Sequence, residues 1–250
     1  MDDICEICGK RAEYTCRYCG GRFCSEHISP VDHDCPVFWN VPVRVKRKRV
    51  PSINLSKILS YGANNIVVGI CTILFLISIP FPLVMVRYLA LDPIYFIVMP
   101  WQLVTSMFLH VDFWHYFVNM FVLFFFGTEL ERRVGSVKYL KIFLLSGLAG
   151  NLAYILYAYA LNQFAPALGA SAAIFGVMGC LAIIAPEIRV FIFPFPIPIS
   201  IRMALILFAL YDLVLLPFSY KTGVAHVAHL AGLLSGIYYG RRLRWRRYYY

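Results

Sequence analysis

Gly169-Ala170-Ser171-Ala172-Ala173-Ile174-Phe175-Gly176 lies in an apolar run covering residues 165–186, and a second run over 223–240 carries Ala228-His229. A hydroxyl and an imidazole are thereby placed where hydrocarbon should exclude water. Unpartnered polar groups are costly there, so ionisable residues inside a membrane segment are read first as functional. A serine nucleophile with an imidazole base is the chemistry of peptide-bond hydrolysis.

Composition supports the membrane half of this reading: of 250 residues, 60% are hydrophobic and 14% charged, and the mean hydropathy is +0.70, the profile of a polytopic membrane protein. Crossing about 30 Å of hydrocarbon takes about 20 helical residues. Such windows occur at 66–86, 142–161 and 165–186, with shorter or more polar ones at 114–128, 201–218 and 223–240. The expectation is an all-α bundle of six spans.

The net charge of +10 would suit nucleic acid, but its distribution fits a membrane topology better, and no nucleic-acid partner is expected. Arg44, Lys46, Arg47, Lys48 and Arg49 precede the first span; Arg132, Arg133, Lys138 and Lys141 follow the second; Arg189 and Arg202 follow the fourth. A basic tail at 241–250 holds Arg241, Arg242, Arg244, Arg246 and Arg247, whereas the alternate connections hold only Arg87 and Lys221. The positive-inside rule puts both termini in the cytoplasm of a multi-pass protein of the cell membrane. The outer basic clusters can also touch anionic lipid of the bilayer.

Residues 1–40 lack the apolar core of a signal peptide and form a separate module. Their cysteines and histidines run Cys5-x2-Cys8, Cys16-x2-Cys19, Cys24-x2-His27 and His33-x-Cys35. Eight such ligands fill two tetrahedral zinc sites, and the reducing side of the membrane argues against a disulfide cluster. The spacing over 5–35 resembles the AN1-type zinc finger. That resemblance implies interleaved sites, with Cys5, Cys8, Cys24 and His27 on one metal and Cys16, Cys19, His33 and Cys35 on the other. Filled coordination leaves no position for water, so the module is expected to dock a cytosolic protein partner rather than catalyse. Residues 41–63 then read as a basic linker with Pro42 and Pro51, Ser52 capping a short interfacial helix. Phe193-Pro194-Phe195-Pro196-Ile197-Pro198 cannot be helix interior and is expected to connect spans four and five.

Helical rise places Ser171 and His229 roughly 8–11 Å below the outer face. His115 and Asn119 share a face at i,i+4 near the start of span two. Ser171 is the candidate nucleophile and His229 the base. The Ser171 amide, His115 and Asn119 are candidate oxyanion donors. Phe175, one turn below Ser171, can stack on the base. His226 competes as base but is expected nearer the outer surface, and Asp212 either orients the base or pairs with a tyrosine. Gly232, Gly236 and Gly240 read as a packing stripe against Ala172, Gly176 and Gly179, and Cys71 and Cys180 as packing residues. Catalysis would need no cofactor.

Residues 64–240 resemble the rhomboid family of intramembrane serine proteases. The matching strings are Phe108-Leu109-His110, His115-x3-Asn119-Met120, Gly127-x2-Leu130-Glu131-x3-Gly135, Ser146-Gly147-x2-Gly150-Asn151, Gly169-Ala170-Ser171 and Ala228-His229-x2-Gly232-x3-Gly236. The resemblance implies a Ser171–His229 dyad, an oxyanion site at His115 and Asn119, a partly submerged loop after span one, and transmembrane-helix substrates cut near the outer face. Two positions depart from the family pattern. Ala172 replaces a glycine and is expected to crowd the nucleophile, and Gln102 replaces an arginine and is expected to loosen the loop. A second class of function stays open, a non-catalytic binder of membrane helices that recruits partners through the finger. A transporter would need repeat-related broken helices, which are not visible.

Overall fold

The computed structural model describes residues 3–40, 62–191 and 197–249. The chain divides into two compact units, 1–53 and 54–250. The expected interfacial helix and most of the linker at 41–63, and the Phe193–Pro196 part of the proline-rich connection, lie outside the described residues.

In the first unit a two-residue ribbon pairs β1 (Tyr14–Thr15) with β2 (Arg22–Phe23), and α1 (Pro36–Asn40) follows. Its interior consists of Cys5, Cys16, Phe23, Cys24 and Cys35, with Tyr18, Ile28 and Phe38 packed against them. A core this small is typical of domains that need metal to fold.

The second unit opens with α2 (Ala63–Ser78), which begins on a carboxylate from far along the chain. Glu131 accepts from the amides of Ala63 at 2.6 Å and Asn64 at 2.9 Å, and from Ser136 Oγ at 2.5 Å. These amides have no intrahelical acceptor, so an anion there serves as cap and as counter-charge to the helix dipole. The helix stops at Ser78 because Pro80 and Pro82 follow, and Pro82 starts the short α3 (Pro82–Leu89). The apolar window at 66–86 is therefore not one helix.

The loop after α3 leads into α4 (Gln102–Thr105) and a 3-10 turn over Ser106–Phe108. The chain then bends by 90° into α5 (Phe113–Val122), α5 being capped by Asp112, whose carboxylate accepts from the His115 amide at 2.9 Å. A π turn over Leu123–Gly127 joins α5 to α6 (Thr128–Val134). At this wider turn the Leu123 carbonyl accepts from Asn64 Nδ2 at 2.9 Å, and Asn64 Oδ1 in turn accepts from Tyr139 at 2.6 Å. The long α7 (Ser136–Leu161) crosses the unit, and after an extended stretch α8 (Ser171–Ile184) runs through its centre with ten buried residues. A hairpin of β3 (Arg189–Phe191) and β4 (Pro198–Ser200) brackets the proline-rich connection, so an all-α description needs amendment. The chain ends with α9 (Ile201–Leu215), a 3-10 turn at Leu216–Phe218, α10 (Ser219–Thr222) and α11 (His226–Tyr249).

Among the described residues two helices are long and apolar enough to cross a membrane, Ser136–Leu161 and Ile201–Thr222, or three if the bent pair Gln102–Phe108 and Phe113–Val134 counts as one span. The Ile201–Thr222 window has mean hydropathy 2.0 yet is only 22% buried, so its apolar face looks outward. Polar Asn64, Gln102, Asp212 and His226 lie inside while Leu83, Phe124, Leu156 and Val214 lie outside. This inside-out pattern is that of a protein solvated by lipid.

α8 packs closely between α7 and α11. A Cβ at Gly232 or Gly236 would run into the carbonyl oxygens of Ala172 and Gly176, so α11 lies against α8 backbone to backbone.

Candidate active site

Residues 163–170 do not join the helix that follows them. Pro166 restricts the chain, and Gly169 takes φ +131°, a conformation that side-chain-bearing residues rarely adopt. Ser171 is therefore the first residue of α8 rather than an interior residue of a span beginning at 165, and His229 is the fourth of α11 (His226–Tyr249). The amides of the first turn of α8 have no intrahelical acceptor and concentrate positive potential beside the Ser171 hydroxyl.

His229 Nε2 lies 2.8 Å from Ser171 Oγ. The Phe175 ring lies flat against the imidazole, with centroids 4.7 Å apart and planes 6° apart. On the opposite edge His229 Nδ1 is 3.2 Å from both carboxylate oxygens of Asp212. Asp212 also meets His226, whose Nδ1 is 2.6 Å from Oδ1. His226 opens α11 one turn before His229 and is fully buried, its ring set against the acid rather than against Ser171.

His115 packs against Gly169, since a Cβ there would stand 2.8 Å from His115 Nε2. Its ring, Ser171 and His229 line an open cavity of about 560 Å³, together with Tyr154, Tyr157 and Thr222. Asn119 lines a second hollow of about 470 Å³ on the apolar side, shared with Ser171, Phe175, Phe208, Asp212 and His229. One hydrogen of Asn119 Nδ2 is given to the His115 carbonyl at 2.6 Å, and the amide carries a second. His110, buried beside His115, has neither ring nitrogen partnered among the described residues.

Both departures from the family pattern are absorbed. The Ala172 methyl lines neither hollow and instead faces Gly150 of α7, where a Cβ would stand 2.6 Å away. Gln102 is buried and fixes the loop without a charge: Nε2 donates to the Arg87 carbonyl at 3.2 Å and Oε1 accepts from the Asp92 amide at 3.1 Å. Trp101 Nε1 adds a bond to the Tyr88 carbonyl at 2.8 Å.

The finger gathers its ligands in two groups, Cys5, Cys8, Cys24 and His27, and Cys16, Cys19, His33 and Cys35, with all donor atoms of a group within 4.8 Å of one another. Thiolates of one tetrahedral zinc stand about 3.8 Å apart. Cys8 and Cys24 are 3.7 Å apart, Cys19 and His33 Nε2 3.7 Å, and Cys24 and His27 Nδ1 3.3 Å. His33 Nδ1 donates to the His27 carbonyl at 2.9 Å, which turns Nε2 toward the thiols. The Cys19 amide draws the Cys16 thiol down to about 6. Burial pushes the Cys5 thiol up, but amides of Cys24, Cys8 and Ile7 outweigh it and leave it at about 6. Both groups could bind zinc.

The rhomboid domain model matches residues 98–246, more than half of the chain, over the segment that carries Ser171 and His229. The chain belongs to the rhomboid family. The AN1-like zinc finger model matches residues 5–37. Among relatives, Rhomboid protein 1, mitochondrial, of Saccharomyces cerevisiae is 30% identical over 56% of this chain and 40% of its own length. Presenilin-associated rhomboid-like protein, mitochondrial, of Rattus norvegicus is 30% identical over 65% of this chain and 44% of its own. Rhomboid protease GluP of Bacillus subtilis is 36% identical over 34% of this chain and 16% of its own. The chain thus spans less than half of each of these relatives. It is a membrane protein with a rhomboid domain and an N-terminal AN1 finger.

Proposed function

We propose that this rhomboid is an active intramembrane serine endopeptidase that cuts transmembrane-helix substrates near the outer face of a bilayer. One observation carries the reading: a serine hydroxyl at a helix N-terminus, 2.8 Å from an imidazole, both lining an open cavity. At 14 residues, α8 is about 21 Å long against about 30 Å of hydrocarbon, which sinks the nucleophile below the surface.

In this mechanism Ser171 Oγ bonds to the scissile carbonyl carbon as its proton passes to His229 Nε2. The carbonyl oxygen gains the electron pair and is held by the Ser171 amide, His115 and the remaining Asn119 donor. Collapse breaks the C–N bond, and His229 returns the proton to the leaving amine. Water from the cavity then gives a proton to His229 and adds to the acyl carbon, and release of the acid restores Ser171. No metal or cofactor takes part.

The same proposal includes six spans and both termini in the cytoplasm, supported by the basic clusters around the apolar windows, with the cell membrane as the site of residence. The eight finger ligands would hold two structural zinc ions, and the folded finger would engage a cytosolic protein. The non-catalytic alternative leaves the close approach of Ser171 and His229 without a purpose. Purified protein in detergent is expected to cleave a helical substrate and to react with a fluorophosphonate. Ser171→Ala and His229→Ala are each expected to lower cleavage by about 10³-fold or more with unfolding temperature retained. Wild-type cleavage by both variants would reject the reading.

A further inference from the structure

Asp212 is a carboxylate 2% exposed within α9, a place where an anion is costly unless donors surround it. The donors are two imidazoles of α11. His226 Nδ1 stands 2.6 Å from Oδ1, and His229 Nδ1 stands 3.2 Å from each oxygen. His226 is itself fixed at its other end, with Nε2 3.1 Å from Thr222 Oγ1. We infer that Asp212 is a positioning carboxylate that completes a Ser171–His229–Asp212 chain, with His226 as the strut that holds the acid in place.

The inference rests on the endopeptidase reading and adds to it what sets the state of the base. A neutral imidazole carries one hydrogen, on either nitrogen, and only a bare Nε2 can take the serine proton. An ionised carboxylate accepts but cannot donate. Facing Nδ1, it requires the hydrogen there and leaves Nε2 bare toward Ser171. When the serine proton arrives, the imidazolium finds its counter-charge already within 3.2 Å, and Asp212 keeps its own state throughout. The Phe175 stack holds the plane of the ring but is indifferent to rotation about its normal. The carboxylate fixes that rotation.

The three side chains also satisfy the general spacing of a metal site, with donor atoms within 4.8 Å. Two donors about 2.0 Å from one tetrahedral zinc, however, stand about 3.3 Å apart. The 2.6 Å separation of His226 Nδ1 and Asp212 Oδ1 is that of a charge-assisted hydrogen bond.

The test uses the full chain in detergent micelles labelled with [15N]histidine. In the wild type, His229 is expected to show a protonated, strongly hydrogen-bonded Nδ1 and a bare Nε2. Asp212→Asn is expected to lower kcat by about 10²–10⁴-fold, by analogy with soluble serine proteases, with KM and unfolding temperature held. A wild-type His229 carrying its proton on Nε2, or a folded Asp212→Asn enzyme with wild-type kcat, overturns the inference. Should Asp212→Asn fail to fold, the wild-type tautomer decides alone. Cleavage that persists in Ser171→Ala would sink the endopeptidase reading instead, while the nitrogen spectra would still report on Asp212 and His229.

Discussion

The imidazole of His229 is held on three sides: Ser171 at one edge, Asp212 at the other, and the Phe175 face against its plane. Stacking of this kind contributes about 0.5–1.5 kcal/mol, which translates into roughly 2–10-fold in rate if it is lost at the base. Phe175→Leu keeps the apolar volume and removes the flat face, so kcat should fall within that range while the unfolding temperature in detergent stays put. Ser171 could be singled out from Gly169-Ala170-Ser171, and His115 and Asn119 from their i,i+4 spacing, while the roles given to them belong to the proposal. The Asp212–His226 contact was not legible. It depends on which face of α9 meets α11, and that pairing is absent from the periodicity of either helix. The same blindness made Ala172 and Gln102 look harmful, since the empty space at Gly150 and the carbonyl of Arg87 lie far along the chain.

Helix ends were the weakest part of the sequence reading, and the reason is physical. Hydropathy reports where lipid is tolerated, whereas helix length follows from prolines, caps and backbone dihedrals. The window at 165–186 stays apolar through Pro166 and Gly169, yet the helix starts only at Ser171. Likewise 66–86 stays apolar through Pro80, yet α2 ends at Ser78. At its other end α2 depends on Glu131, whose carboxylate receives two amides and one hydroxyl. Hydrogen bonds to a charged group contribute about 1.5–3 kcal/mol. Glu131→Gln should therefore lower stability by about that amount, read as an earlier denaturant midpoint in detergent, with KM unaffected.

Composition and charge placement gave the class of the whole molecule, a basic, lipid-solvated chain with a cysteine-rich module in front, because those properties sum over residues and need no knowledge of pairing. The finger should respond to acid through its thiolates. The metal-free Cys5 and Cys16 thiols stand at about 6, and bound zinc would hold them deprotonated to lower pH still, so protons displace the metal only below that value. The chain should carry two zinc ions at pH 7 and release them on acidification with a midpoint below pH about 6, measured with a chromogenic chelator. Zinc already lost at neutral pH would contradict this. In the larger unit, the contact of α11 with α8 through Gly232 and Gly236 means that the gap between Ser171 and His229 is set by two main chains rather than by side-chain shape. On the endopeptidase reading, substrate preference can then drift through substitutions around the rim and the apolar hollow without disturbing the reaction register, and the positions closed to such drift are the ones that have no side chain to change.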